Sequence, residues 1–429
     1  MSLQAGSIGW RQIAGLGVGL VVAGQFAGWN YGLAQASWAN MMAATVLVSV
    51  LCFGMALCVA ELATMLPNAG GLYVYCEAVF GRFAGYAVGV ATFTALAVST
   101  GAAAQFISAY SEAVTGFGGP LFKAILFAVI IGIHIIGVGE ALTVLLGAGL
   151  IAVLSLLAFG GAMLPHFNVQ NLLPAGGAPV SATGIISCVP FAIMMFICVE
   201  QTATSAEEAR NPKHDVPLGI LIAIGILALT ATCVLVLGPA AAGSAQMGQA
   251  DDPLTAALAT LPGGGTSWML SLIGAGAILG LVATLFSMIY GASRQMFALA
   301  RGGYLPSILA RQSKNGIPVI ALCVVGVIGF PLSYVSPDKI ILTMVMLLTA
   351  SYIVTLAAFI KLRIQEPDRE RPFRAPGGVV TAGIALLLSA LVVVACLRQN
   401  PDAIVPMLIV LGIATIWFFV GAKPQPSPA

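Results

Sequence analysis

Charge is what this sequence has least of. Only 7% of its 429 residues are Asp, Glu, Lys or Arg, against about 25% in a soluble globular protein. So few charges cannot cover a water-facing surface, which excludes a soluble fold. The net charge is only +2, and no basic tract offers a footprint for nucleic acid. The alternating ten-residue segments of a membrane β-barrel are missing. The eight cysteines lie apart, mostly inside apolar runs, with no C-x-x-C pair and no Cys/His cluster. They read as small packing residues, not as metal ligands. No Ser/His/Asp set, metal cluster or phosphate loop is present, so neither an enzyme nor a metal site is expected. Residues 1–10 lack the basic start and A-x-A site of a cleavable signal.

What the chain has is apolar sequence, 59% of all residues. Lipid leaves backbone polar groups no partner but each other, so the spans must be helices. Each needs about 20 mostly apolar residues. Twelve runs qualify: 11–36, 39–65, 83–113, 121–138, 140–164, 185–205, 216–238, 267–292, 317–335, 338–362, 376–397 and 403–422. An all-α integral membrane protein with twelve transmembrane helices is therefore predicted. An even count places both termini on one side. Of the 17 Lys and Arg, only Lys123, Lys339 and Arg398 then fall on the other side. The positive-inside rule makes both termini cytoplasmic. The segments 66–86 and 290–306 are expected to form short amphipathic helices at the interface.

Polar groups inside spans are the informative residues, because lipid makes them expensive. One cluster is "GQFAGWNYG", Gly24–Gly32, in the first span. A second is "FICVEQTATS" in the sixth, where Glu200 is followed by Gln201, Thr202, Thr204 and Ser205. Gln25 lies roughly 21 Å and Glu200 roughly 22 Å into their spans, at 1.5 Å per residue, from opposite sides. Two readings of the glycines stay open. Gly24, Gly28 and Gly32 form a GxxxGxxxG face suited to close helix packing. They equally suit unwound backbone. A deep carboxylate favours the second reading, since ionisable groups inside membranes mark function. His134 in the fourth span is either a satisfied structural histidine or part of a proton route. Glu61 and Glu140, near the cytoplasmic boundary, are expected to pair with loop arginines.

Five stretches resemble the amino acid–polyamine–organocation (APC) transporter superfamily. They are the glycine-rich interruption, "ELATMLPNAGGLYVY", "FICVEQTATSAEEARNPKHDVPLGI", "RQMFALARGGYLP" and "LRIQEPDRERPFRAP". Within it, "GQFAGWNYGL" looks most like bacterial ethanolamine permeases, whose first helix reads close to G-D-F-S-G-W-N-F-G-L. The chain departs at Gln25, where that group carries Asp, and at Ala27, where it carries Ser. The resemblance implies a LeuT-like 5+5 inverted repeat with helices 1 and 6 broken, plus helices 11 and 12. The repeats would cover residues 10–165 and 184–363. Helices 11 and 12 would cover 376–422, ahead of a disordered tail, 423–429.

The interruptions and the resemblance together give a substrate-binding set. It comprises Ala23, Gly24, Gln25, Phe26, Ala27, Gly28, Leu96, Thr100, Met194, Ile197, Cys198, Glu200, Gln201 and Met288. Glu200 and His134 are the proton-coupling candidates. The fifth-helix Lys of some proton-coupled members is replaced here by Leu146. The coupling ion is therefore H⁺ through another group, or Na⁺, or transport is exchange without ions. No cofactor is expected. The implied function is a secondary active transporter in the inner (plasma) membrane. It would import a small amine, such as ethanolamine or a related organocation, by alternating access. An amino acid permease or exchanger of the same fold is the alternative, and a non-transporting scaffold or sensor a minor one. Partners are then a small amine or amino acid and the lipid bilayer, with the chain a monomer or weak homodimer.

Overall fold

The computed structural model describes residues 9–66, 70–136, 141–173, 179–205, 209–262, 267–313, 316–401 and 404–423. Glu140 and the tail beyond Lys423 lie outside them, as do the side chains of Leu146, Thr204 and Ser205. The first span is three pieces: α1 (Trp10–Val21), α2 (Ala23–Phe26) and α3 (Tyr31–Gln35). Then follow α4 (Trp38–Met65), α5 (Leu72–Phe80), α6 (Arg82–Thr115), α7 (Gly119–Ile136) and α8 (Ala141–Met163). A short α9 (Val169–Leu172) leads to α10 (Ala182–Ala192). The chain then tightens into 3₁₀ turns at Ile193–Met195 and Val199–Ser205. Next are α11 (Pro212–Thr232), α12 (Gly238–Ala242), α13 (Ser244–Gly248), α14 (Pro253–Ala259) and α15 (Ser267–Arg301). The last four are α16 (Val319–Leu332), α17 (Pro337–Gln365), α18 (Val379–Gln399) and α19 (Ile404–Val420).

Among the described residues, nine helical segments are long and apolar enough to cross a membrane, and two shorter apolar helices accompany them. The protein is a multi-pass, all-helical membrane protein. Its outside is greasy: Leu121, Val327, Leu387 and Phe419 are all exposed. Apolar area of that extent needs lipid to cover it. The interior carries hydroxyls whose protons return to the chain. Thr45, Thr92 and Thr230 each donate to a carbonyl three or four residues earlier. That keeps a polar side chain affordable inside an apolar helix bundle.

One sequence expectation needs correction. Residues 290–301 do not form a separate interfacial helix but continue α15. No Gly or Pro interrupts α15 between Ala292 and Arg301, and Met296 and Leu299 are buried. The helix ends only at Gly302 and Gly303, the latter at φ +79°. By contrast, residues 72–86 do split, into α5 and the start of α6. The hinge is Gly81 at φ +85°, a backbone setting that costs glycine little.

The centre of the bundle is a lattice of long helices. α6 packs along α15 and against α17, and α15 also packs on α8. α1 packs on α11, and α10 packs on α4. At one end, Glu61 of α4 accepts from Arg363 Nη2 of α17 at 2.5 Å and lies 3.1 Å from Arg371 Nε. The amide of Ala375 also donates to it at 2.7 Å. Glu61 and Arg371 are buried. A buried ion pair is tolerable only when its hydrogen bonds are complete. Arg371 meets most of that condition by donating through Nη1 and Nη2 to the carbonyls of Leu362, Glu366, Pro367 and Arg369, while its buried Nε has only the ion-pair contact with Glu61 among the described residues. The expected pairing of Glu61 with arginine thus ties α4, α17 and the 366–375 loop into one corner.

Candidate functional site

Both polar clusters are places where a helix breaks. In the first span, Ala27 is extended at φ −157° and Gly28 sits at φ +97°. In the sixth, helix gives way at Phe196, and Cys198 takes φ +76°. Cys198 is the one non-glycine residue at positive φ among the described residues. A side chain held there is strained, and such strain persists only where its surroundings enforce it. The two breaks touch. A Cβ built on Gly24 would lie 1.9 Å from the Met194 carbonyl oxygen, so only glycine lets the backbones meet. The glycine spacing therefore serves both readings: close packing is what brings the breaks together.

A broken helix releases backbone groups that must find partners. Here side chains supply them, some from neighbouring helices and some from the broken spans themselves. Tyr110 Oη donates to the Phe26 carbonyl at 2.8 Å, and Gln25 Nε2 donates to the Met195 carbonyl at 2.9 Å. Asn30 accepts from the Gly28 amide at 3.0 Å and donates to the carbonyls of Met247 and Ala250, each at 2.8 Å. Trp29 Nε1 returns to the Gln25 carbonyl at 3.0 Å. In the sixth span, the Cys198 amide donates to Tyr352 Oη at 3.4 Å. Both breaks are thus tied by side-chain hydrogen bonds.

A cavity of about 40 Å³ lies against the two breaks. Of the residues named from sequence, Ala23, Gly24, Ala27, Met194, Ile197, Cys198 and Met288 line it. The others are not part of the lining. Phe26 packs edge-on against Tyr110. The missing Cβ of Gly28 would face Ile341 and Met194. Leu96 lies against Gly291, and Thr100 against Gly329 of α16. Gln25 turns to the sixth span and α11. Glu200 is buried behind the break, where Gln201 Nε2 and the Tyr352 hydroxyl both hydrogen-bond its carboxyl. No cation lies within ion-pair distance of Glu200 among the described residues. His134 does not line the cavity. It stacks on Phe286 at 3.8 Å between ring centres, with Nδ1 2.8 Å from the Ile130 carbonyl.

The remaining lining was not legible as a site. It comes from Leu20 and Val21, from Ser99, Ala102, Ala103 and Phe106 of α6, from Leu281 and Thr284 of α15, and from Ile340, Ile341 and Met344 of α17. One signal was available: the run "STGAAAQF", Ser99–Phe106, places small residues at mid-span and so leaves room beside α6. α17 gave none, because Ile and Met in a membrane helix look like packing. The wall carries no charged side chain. Its polar side-chain groups are the Ser99 hydroxyl, bonded to the Leu96 carbonyl, the Thr284 hydroxyl, bonded to the Gly19 carbonyl, and the Cys198 thiol. Such a cavity offers apolar surface to a ligand's body and only backbone dipoles to its charges. No group of three or more His, Cys, Asp or Glu able to hold a metal occurs among the described residues.

Comparison with known proteins agrees with this architecture. The family model for amino acid permeases matches residues 5–419. A branched-chain amino acid permease of Bacillus subtilis is 26% identical over 404 residues, covering 88% of this chain and 84% of its own. A probable polyamine transporter of Arabidopsis thaliana is 26% identical over 386 residues, covering 86% of this chain and 78% of its own. A chloroplastic cationic amino acid transporter of the same plant is 24% identical over 369 residues, covering 78% and 62%. The chain belongs to the amino acid permease family of the APC superfamily, and it is a transporter, not an enzyme.

Proposed function

We propose that this permease carries small zwitterionic amino acids with aliphatic side chains, bound between the two helix breaks. The observation that carries the reading is the lining: mostly apolar side chains, no charged group among the described residues, and two stretches of non-helical backbone at one wall. A zwitterion can set its carboxylate on amides and its ammonium on carbonyls at broken helix ends. Its side chain then meets Ala102, Ala103, Ile340 and Met344. A simple amine would bring a charge with no countercharge in the wall. The branched-chain substrate in the name of the Bacillus relative agrees with this reading. The organocation reading, ethanolamine included, draws on a different observation, the Glu200 carboxyl two residues beyond Cys198, which has hydrogen-bond donors but no cation beside it among the described residues.

Alternating access follows from how the half-helices pair. α3 packs against α10, and Cys188 Sγ donates to the Gly32 carbonyl at 3.3 Å. α1 packs against the 199–205 turn and α11. Each side of the cavity is thus closed by one half of each broken span. Tilting one pair opens that side while the other stays shut. The packing also supports two five-helix repeats of opposite topology within twelve spans. Exchanging each span for its counterpart turns the α6–α17 contact into α15–α8, and α1–α11 into α10–α4. We assign the side with fourteen of the 17 Lys and Arg, and both termini, to the cytoplasm. Coupling runs through a proton on Glu200, a buried carboxyl without a cationic partner among the described residues.

Thermal unfolding of the purified full chain with a ligand panel tests the substrate class. Isoleucine, valine and leucine are expected to raise the midpoint in a concentration-dependent way. Stabilisation by ethanolamine or putrescine, with none by these amino acids, would reverse the reading.

A further inference from the structure

Gln25 is fully buried and does not line the cavity. Its Nε2 donates to the Met195 carbonyl at 2.9 Å and to the Leu227 carbonyl at 3.3 Å. Two acceptors on one side of the amide fix which end is nitrogen. Its Oε1 is buried with no hydrogen-bond partner among the described residues. One side chain on α2 therefore joins three elements: the first break, the sixth-span break and α11. Met195 cannot bond within a regular helix, because the helix stops at Ala192 and resumes only as 3₁₀ turns. The Leu227 carbonyl, within α11, also accepts from the Thr230 hydroxyl at 3.1 Å, so the Met195 carbonyl is the one the break releases. Carbonyl oxygens from separate elements meeting at one point can hold a cation in a dry site. Here the point is occupied by the positive end of an amide dipole, tethered to the chain.

We propose that the Gln25 amide is a built-in substitute for a bound cation, a positioning residue that locks the two breaks together without a mobile ion. The proposal rests on the transport reading above for its consequence and on the hydrogen bonds alone for its geometry. An amide donates at any pH and cannot leave. The wild-type breaks should then keep their shape in Na⁺-free buffer. A carboxylate at the same place would set a negative oxygen against two carbonyl oxygens. It could be held only by taking a proton, to donate to one carbonyl, or by recruiting a cation between them. The unpartnered Oε1 fits a group chosen for its donor end, since the acceptor end is left with nothing to do.

Few titratable groups surround this point. The segment that packs on α2 carries Cys198 and Glu200, and Tyr110 of α6 bonds the adjacent Phe26 carbonyl. α11 carries Lys213, His214 and Asp215 at the end far from Leu227, and α15 carries Tyr290, Arg294 and Arg301 beyond its middle. Glu200 can titrate in every variant, so each variant is read against wild type in the same buffer.

The test uses Gln25→Glu and Gln25→Met in the purified full chain, by thermal unfolding and by isoleucine counterflow in proteoliposomes. Wild type should unfold at the same temperature with Na⁺ or choline as the salt cation. Gln25→Glu should gain stability on adding Na⁺ or on acidification, beyond any change in wild type, and its counterflow should fall at least tenfold when both are withdrawn. Gln25→Met keeps the length but no donor, so it should lose stability and counterflow in every buffer, with no rescue by acid or Na⁺. Gln25→Glu behaving as wild type under all conditions would overturn the proposal. So would wild type needing Na⁺ for its own stability, or Gln25→Met keeping full stability. Absence of counterflow in wild type would strike the transport reading, and the unfolding arms would still decide the role of Gln25.

Discussion

Gly24 lies directly on the backbone of Met194: a Cβ at this glycine would sit 1.9 Å from the Met194 carbonyl oxygen. The contact joins the two broken spans at the wall of the cavity. Gly24→Ala should therefore force the breaks apart. Overpacking against backbone, which cannot swing aside as a side chain does, costs about 3 kcal/mol at the upper end of such effects. Denaturant unfolding should register that loss, and uptake should fall more than tenfold. Gly19→Ala is the control, since nothing lies within 4 Å of the Cβ it would gain.

The corner at Glu61 makes a second prediction. Removing one partner of a buried ion pair is worse than removing both, because the survivor stays buried and unpaired. Glu61→Leu should destabilise by about 3 kcal/mol. Glu61→Leu combined with Arg371→Met should cost less than the sum of the single changes, as neighbouring sites in one network are not additive. A double-mutant cycle on unfolding free energies checks this. Additive losses would mean that the guanidinium and carboxylate act independently.

The fold was legible because the bilayer simplifies the reading. Long apolar runs could only be helices, and the residues that weaken them stood out. "GQFAGWNYG" and "FICVEQTATS" announced themselves by glycine and by charge, and both coincide with breaks. What stayed hidden was direction. Gln25 and Glu200 could be placed in depth but not in facing, and both side chains turn from the cavity, toward partners on α11 and α17. Thr100 was placed beside the cavity by analogy, and instead its hydroxyl bonds the Ala97 carbonyl next to Gly329. The wall from α17 left no trace, since Ile340, Ile341 and Met344 read as ordinary membrane residues. The end of α15 was misplaced because an amphipathic pattern cannot tell a new helix from a longer one.

The small residues of α6 should set the size of the accepted side chain. Ala103 lines the cavity, so Ala103→Val removes space where the ligand's side chain would sit. A difference of one methylene in an apolar pocket is worth roughly tenfold or more in discrimination. Leucine should lose at least about tenfold in apparent affinity relative to alanine. Competition uptake measures the ratio, and an unchanged ratio would remove α6 from the side-chain pocket.

Asp252, in the loop before α14, predicts a pH effect of definite sign. Burial pushes its carboxyl above the usual carboxylate range, opposed by the Thr255 hydroxyl and helped by neighbouring Asp251. A carboxyl raised on folding adds stability in acid and loses it as pH rises through the folded value. Asp252→Asn should thus be more stable than wild type at neutral pH, and the gap should close on acidification below the ordinary carboxylate range. Unfolding midpoints at two pH values decide it. An asparagine variant that is less stable at neutral pH would contradict the sign.

Cys198 gives the most direct access to the central claim, that an aliphatic amino acid binds at the cavity between the two breaks. Cys198 lines that cavity from the strained turn of the sixth span. In a variant retaining Cys198 as its single cysteine, the rate of reaction with a small methanethiosulfonate reagent is measured with and without ligand. Cys198→Ser in the same background supplies the blank. The account predicts that isoleucine or leucine slows the reaction in proportion to occupancy and that ethanolamine does not. Protection by ethanolamine alone, or labelling at the same rate with saturating amino acid, would contradict it.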